Sequence, residues 1–248
     1  MKKTNKAILV TVLIFTVNQV YSQAYLNQAT PSSSPEIFAS GVISTSLQER
    51  DITISPDGTE IYYTIYKSGF DGNIHFVKLE NGEWSLPKIA PFSGNKKDLE
   101  PAFAPDGNKL FFASKRNTNN YDIWYVKREN GGAWSDPISV GSPVNTNVNE
   151  FYPSVTNNGT LYYTAKYDNG IGGEDIWYSR LVDGEYQTPV PVSGVNGTTD
   201  EFNAFIDPNE KYIYFGSFGR ADGFGGGDIY ISRRQGNGWS TPENLGSQ

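Results

Sequence analysis

Hydrophobic and polar residues alternate with a period of two in short runs along most of the chain, and Gly, Pro, Asn and Asp separate the runs. Alternation of this kind places successive side chains on opposite faces of a strand, so the pattern predicts β-structure with many tight turns. The stretch from Glu100 to Pro137 shows the unit. Strands are predicted at Ala102-Phe103-Ala104, at Lys109 to Ser114 and at Asp122 to Lys127. Trp134-Ser135-Asp136-Pro137 then leads into a fourth short run, Ile138-Ser139-Val140. Pro105-Asp106-Gly107 separates the first two strands. Its proline presets φ and its glycine accepts positive φ, so the unit reads as a four-stranded antiparallel meander.

This unit occurs four times. The turn returns as Ser55-Pro56-Asp57-Gly58, Thr156-Asn157-Asn158-Gly159 and Asp207-Pro208-Asn209-Glu210. The aromatic second strand returns as Ile61-Tyr62-Tyr63, Leu161-Tyr162-Tyr163 and Ile213-Tyr214-Phe215, against Leu110-Phe111-Phe112 in the reference unit. The third strand opens with Asn73-Ile74-His75, Asp122-Ile123-Trp124, Asp175-Ile176-Trp177 and Asp228-Ile229-Tyr230. The spacing of 49 to 53 residues and four strands per unit are the signature of propeller blades. The expected fold is an all-β propeller with blades at about 49–94, 98–144, 150–195 and 201–248. Residues 35–42 match the segment that follows each Trp-Ser-x-Pro landmark and predict one surplus outer strand. Because that strand lacks inner partners, the expectation is an incomplete ring of five or more blades, with self-association if the chain is truncated.

The Pro-Asp-Gly turns at 56–58 and 105–107, the aromatic strands after them and the Asp-Ile-Trp/Tyr openings at 122–124, 175–177 and 228–230 resemble the TolB-type WD-like β-propeller repeats of bacterial envelope proteins. The resemblance runs from Pro35 to the end. It weakens at Asn157-Asn158-Gly159 and Pro208-Asn209-Glu210. It implies a propeller, and for function it implies only a scaffold shared by binding modules, sensors and some enzymes.

The N-terminus changes the picture. Lys2, Lys3 and Lys6 precede an apolar run, Ala7 to Val17, that is too short to span a bilayer, and Val20-Tyr21-Ser22 suits cleavage. Residues 1–22 therefore read as a signal peptide and 23–34 as a flexible lead-in. The product is expected in the periplasm or outside the cell, with no membrane span after cleavage. Removing three lysines and no acids takes the formal charge from −7 to −10. So acidic a chain, with no basic stripe, argues against a nucleic-acid partner. The chain has no cysteine, which removes disulfides, thiolate nucleophiles and Cys-ligated zinc.

Candidate chemistry begins with the acids that open each innermost strand: Glu49, Asp98, Glu150 and Glu201. Asp51 and Glu100 follow two residues on in the first two blades, and Arg50 is unique to its blade. Converging carboxylates could bind Ca²⁺, the one cofactor that suggests itself, or act as an acid/base pair on a glycosidic bond. One acid per repeat at the same place also suits a structural role, with each carboxylate tying down loop amides. The single histidine, His75, stands where other repeats carry Trp or Tyr, and nothing in the sequence nominates partners for a triad. Trp84, Trp134, Tyr186 and Trp239 recur before each outer strand and read as packing between blades. The functional expectation is an exported, non-catalytic binding or protein-interaction module of the cell envelope, holding an envelope protein or a glycan. The alternative is a carbohydrate-active enzyme, a glycoside hydrolase or lyase, with carboxylates around the channel.

Overall fold

The computed structural model describes residue 28 and residues 34–68, 71–94 and 96–247. The expected signal peptide, and the lead-in apart from residues 28 and 34, lie outside the described residues. The four innermost strands are Gln48–Ile54, Asp98–Phe103, Glu150–Val155 and Asp200–Ile206. The second strands are Glu60–Ser68, Lys109–Ser114, Leu161–Ala165 and Tyr212–Phe218; the third are Asp71–Glu80, Asp122–Lys127, Asp175–Ser179 and Gly227–Gln235. The outer strands are two residues each: Lys88–Ile89, Ile138–Ser139, Val190–Pro191 and Glu243–Asn244. All pairing within a blade is antiparallel and in sequence order. No helix occurs among the described residues.

The first hairpin of every blade closes with the same bond. The amides of Gly58, Gly107, Gly159 and Glu210 donate to the carbonyls of Ser55, Ala104, Thr156 and Asp207 at 2.8, 2.9, 3.0 and 2.7 Å. The two turns that depart from Pro-Asp-Gly thus keep its geometry. Glu210 takes the left-handed φ of 55° where the others have glycine. Its carboxylate accepts from Tyr162 Oη and Arg234 Nη2, both at 2.6 Å, which holds the strained backbone in place.

Period two gives each sheet two faces, and both are used. Tyr62 and Ile74 of blade one pack on Leu110, Phe112 and Val126 of blade two. Phe111 and Ala113 pack on Leu161, Tyr163 and Trp177 of blade three. Tyr162 and Ile176 pack on Ile213, Phe215 and Tyr230 of blade four. Spacer residues between the blades fill each seam: Ala90 and Phe92, then Val144, then Val192 and Val195. The aromatic landmarks Trp134, Tyr186 and Trp239 pack against these seams, as their recurrence predicts, whereas Trp84 packs on the blade-one cluster of Ile61, Tyr63 and Val77.

Residues 35–42 differ from the expectation. They form turns, with an isolated bridge between Ser40 and Ser44, and no strand. Ala39 and Ile43, 6% and 4% exposed, cover Ile61, Tyr63 and Val77 of blade one. The segment supplies a seam spacer. At the far end, the outward face of blade four is uncovered. Ile74, Ile123 and Ile176 are fully buried, whereas the equivalent Ile229 is 59% exposed, beside Phe205 and Phe218 at 53% and 51%. No hydrophobic cluster among the described residues joins blade four back to blade one. The four blades stand in a propeller-like ring, and their innermost strands share one central pocket.

Candidate functional site

The sequence expectation splits here. Asp98, Glu150 and Glu201 are fully buried and hold their own blades together. Arg116 Nη2 donates to Asp98 Oδ1 at 2.7 Å and to the Phe92 carbonyl at 3.3 Å. Arg220 Nη2 does the same to Glu201 Oε1 and the Val195 carbonyl, at 2.8 and 2.6 Å. In blade three Tyr167 Oη donates to the Val144 carbonyl at 2.9 Å and Thr146 Oγ1 to Glu150 Oε1 at 2.6 Å. Burial raises the pKa of Asp98, and raises that of Glu150 to about 7. Glu49 accepts from the Thr45 amide at 3.2 Å and from its hydroxyl. None of these four acids lines the space between the innermost strands. Among the described residues no cluster of three or more His, Cys, Asp or Glu could hold a metal ion.

What does line that space lies two residues further on. Each innermost strand carries a β-bulge, with the register shifting between Arg50 and Thr53, Leu99 and Ala102, Phe151 and Ser154, and Phe202 and Phe205. The bulged residues are Asp51, Glu100, Tyr152 and Asn203, with φ of 60°, 61°, 50° and 55°. A bulge turns a side chain out of the ladder, and a non-glycine residue in this region carries about 1–3 kcal/mol of strain. The bulge amides tie neighbouring blades together. Glu100 N–H donates to Thr64 Oγ1 at 2.9 Å, Tyr152 N–H to Glu100 Oε2 at 2.7 Å and Asn203 N–H to Thr164 Oγ1 at 3.2 Å. All four residues line one pocket of about 280 Å³, whose walls include Ile52, Ala102, Pro153 and Phe205.

Arg50 lies outside this lining and is tied to it through Asp51 and Tyr152. Its Nε donates to Asp51 Oδ1 at 2.6 Å, Nη1 to Tyr66 Oη at 2.8 Å and Nη2 to Tyr152 Oη at 2.8 Å. Its guanidinium lies 5.1 and 5.3 Å from the Tyr66 and Tyr152 ring centres, and 3.6 Å from Glu100 Oε1. Tyr152 Oη donates in turn to Asp51 Oδ1. Burial, reinforced by the charge of Asp51, raises the Glu100 carboxyl to a pKa of about 8. The site therefore sets a carboxyl that burial pushes towards its protonated form beside an arginine–aspartate pair. Arg50, Asp51 and Glu100 were legible as candidates. Tyr152, Asn203 and Tyr66 were not singled out, although placing Tyr152 and Asn203 in the same column as Asp51 and Glu100 would have found them.

His75 is a half-buried strand residue with Nδ1 3.2 Å from the Asn73 carbonyl. The Gly-rich loops are held by their own aspartates: Asp175 accepts from Ile171 N–H at 2.7 Å, and Asp228 from Phe224 N–H at 3.2 Å.

With blades, seams and channel in place, the chain can be set beside known proteins. No protein-family model matches it, and no curated protein sequence does. Solved structures similar to it include a protein assigned as TolB from Agrobacterium tumefaciens, with TM-score 0.55 and 16% identity over 82% of this chain and 64% of that one. TolB from Acinetobacter baumannii gives 0.53 and 16% over 82% and 45%. The chain has a TolB-like propeller fold. An endo-arabinase from Bacteroides thetaiotaomicron is as similar, with TM-score 0.55 and 14% identity over 83% of each chain. The chain spans less than two thirds of the length of either TolB structure. At these identities the likeness speaks for fold alone.

Proposed function

We propose that this chain is an exported, non-catalytic binding module of the cell envelope that holds a protein or glycan partner at its channel pocket. One observation carries the reading. The four pocket-lining bulge positions are equivalent in the repeat, yet they hold four different residues, Asp51, Glu100, Tyr152 and Asn203. A purely structural position should repeat, as the ring acids do; a recognition site should differ from blade to blade. Export rests on the basic and apolar N-terminus, and an envelope role agrees with the likeness to TolB structures.

A specific observation also favours the carbohydrate-active alternative. Asp51 and Glu100 are two carboxyl-bearing residues lining one pocket, and burial raises the pKa of Glu100, the direction a general acid needs. The guanidinium of Arg50, hydrogen-bonded to one and 3.6 Å from the other, weighs against it, since an acid pair working on a glycosidic bond needs that space for the sugar. The two readings part on one assay. The purified protein is incubated with a panel of oligosaccharides, arabinan fragments included, and both thermal shift and new reducing ends are recorded. Binding without turnover is expected. Turnover that vanishes in Glu100→Gln would establish the enzyme instead.

A further inference from the structure

We propose that the groove between blades two and three is a second binding site, separate from the channel pocket, and that it takes an acidic glycan, a sugar chain carrying carboxylate or sulfate groups. A like-charge pair points to it. Lys109 and Lys127 stand directly opposite each other on the second and third strands of blade two. Like charges in that relation destabilise a sheet. At the same place blade one sets Glu60 against Lys78, whose Nζ lies 3.5 Å from Glu60 Oε1. Blade four sets Tyr212 against Arg233, whose Nη1 lies 2.5 Å from Glu243 Oε2. In blade two neither lysine has an ion-pair partner among the described residues, although acids outnumber lysines and arginines 27 to 20 in the chain.

Both lysines serve one ring and one groove. Lys109 Nζ and Lys127 Nζ lie 5.3 and 5.7 Å from the centre of the Tyr125 ring. A ring face attracts an ammonium without neutralising it, so the charge remains for an anion. Period two puts Lys109 and Phe111 on one face of their strand, opposite Lys127 and Tyr125, and this face is the one turned to blade three. Both lysines line a groove of about 550 Å³, and Leu181, Gly184 and Tyr186 of a blade-three hairpin line it too. Glu185 of that hairpin shares the lining and forms no ion pair with either lysine.

The rest of the lining favours a sugar. Ser139 Oγ accepts from Gly141 N–H at 3.1 Å and from Asn145 Nδ2 at 3.0 Å, which leaves its own proton to give. The hydroxyls of Tyr125, Tyr186 and Ser142 line the same groove and have no protein partner among the described residues. Groups that both donate and accept suit the hydroxyls of a sugar, and the half-buried rings of Tyr125 and Tyr186 give apolar surface for its C–H face. Each ammonium offers three donors that suit carboxylate or sulfate oxygens without demanding a planar fork. The volume falls in the range of about 300–1,000 Å³ usual for ligand sites. A peptide backbone, with one donor and one acceptor per residue, matches this density of hydroxyls less well.

The test is calorimetric titration of the intact protein at pH 7 and low salt with five probes. These are an oligogalacturonate, its methyl ester, a sulfated oligosaccharide, its unsulfated parent and an oligoglutamate peptide. The oligogalacturonate or the sulfated sugar is expected to bind, and the tighter of the two identifies the anionic group. Removing the charge, by esterification or by leaving out the sulfate, should weaken binding by at least about tenfold, the scale of one charge-assisted hydrogen bond. Added salt should weaken it further. Lys109→Glu installs the glutamate–lysine pairing that blade one carries. It should bind at least about tenfold more weakly while its melting temperature equals or exceeds that of the parent, an outcome a merely structural lysine would not give. Lys127→Gln, which removes one of the two like charges, should behave in the same way. Equal binding of charged and uncharged sugars overturns the proposal. Binding untouched by Lys109→Glu also overturns it, while leaving the channel pocket as the place where the sugar binds. Oligoglutamate binding more tightly than either acidic sugar overturns the glycan assignment. No binding by any of the five overturns the site, and the channel pocket stands or falls on its own assay.

Discussion

Glu100 shows how one side chain takes its properties from everything packed around it. It is 5% exposed and faces Arg50 and Asp51 of one strand, Tyr66 of the next, Tyr152 of blade three and the more distant charge of Glu174. Burial first, and the charge of Asp51 second, lift its pKa from the ordinary 4.5 to about 8. The folded protein thus holds this proton more tightly than the unfolded chain. The sign follows: the stabilisation is complete below about pH 4.5 and is lost as pH rises through 8. Glu150, raised to about 7 by burial, adds a loss of the same sign. The melting temperature is expected to fall from pH 5 to pH 9, and Glu100→Gln, whose amide oxygen can still accept from Tyr152 N–H, should flatten the upper part of that curve. Scanning calorimetry across the range checks it; an unchanged slope in the variant would show that Glu100 does not titrate there.

At the scale of the strand, the recurring acid is a rivet. Arg116 joins the spacer carbonyl of Phe92 to Asp98 at the start of the innermost strand, and it stacks 5.1 Å from Phe112 and 5.3 Å from Trp124. Arg220 repeats the device over Phe215 and Tyr230, at 5.3 and 5.0 Å. Removing one member leaves a buried charge without its partner, which costs about 3–5 kcal/mol. Arg116→Met should therefore lower the urea-unfolding free energy by about that amount, and the double variant with Asp98→Asn should recover part of it. Equal losses in the single and double variants would mean that the rivet acts through packing alone.

For the molecule as a whole, the outward face of blade four is bare. Ile176 and Ile229 occupy the same repeat position, one fully buried and the other 59% exposed. Ile176→Ala is expected to cost about 2–5 kcal/mol, whereas Ile229→Ala should fall within about 0.5 kcal/mol of the parent. Denaturant titration of the two variants measures the difference. If Ile229→Ala proves as costly as Ile176→Ala, the face is covered in solution and light scattering should show an assembly larger than one chain.

Much of this was written in the chain. Period-two alternation, turn residues every 49 to 53 positions and recurring aromatic landmarks determined strands, blades and seams, because each depends on neighbours a few residues away or on a repeat that can be laid over itself. Even the structural use of the ring acids follows from their recurrence. The pocket was legible only in part. Asp51 and Glu100 stood out as acids, yet what separates them from Asp98 and Glu150 is a bulge that adds a residue to one strand of a pair and swings two adjacent positions onto different surfaces. Whether such a bulge forms depends on cross-blade partners such as Thr64 for Glu100 and Thr164 for Asn203, which lie 36 and 39 residues away. Arg50 meeting Tyr152 across 102 residues is likewise a product of blade packing. Local sequence chose the strands; only the closing of blade upon blade decided which side chains face the channel.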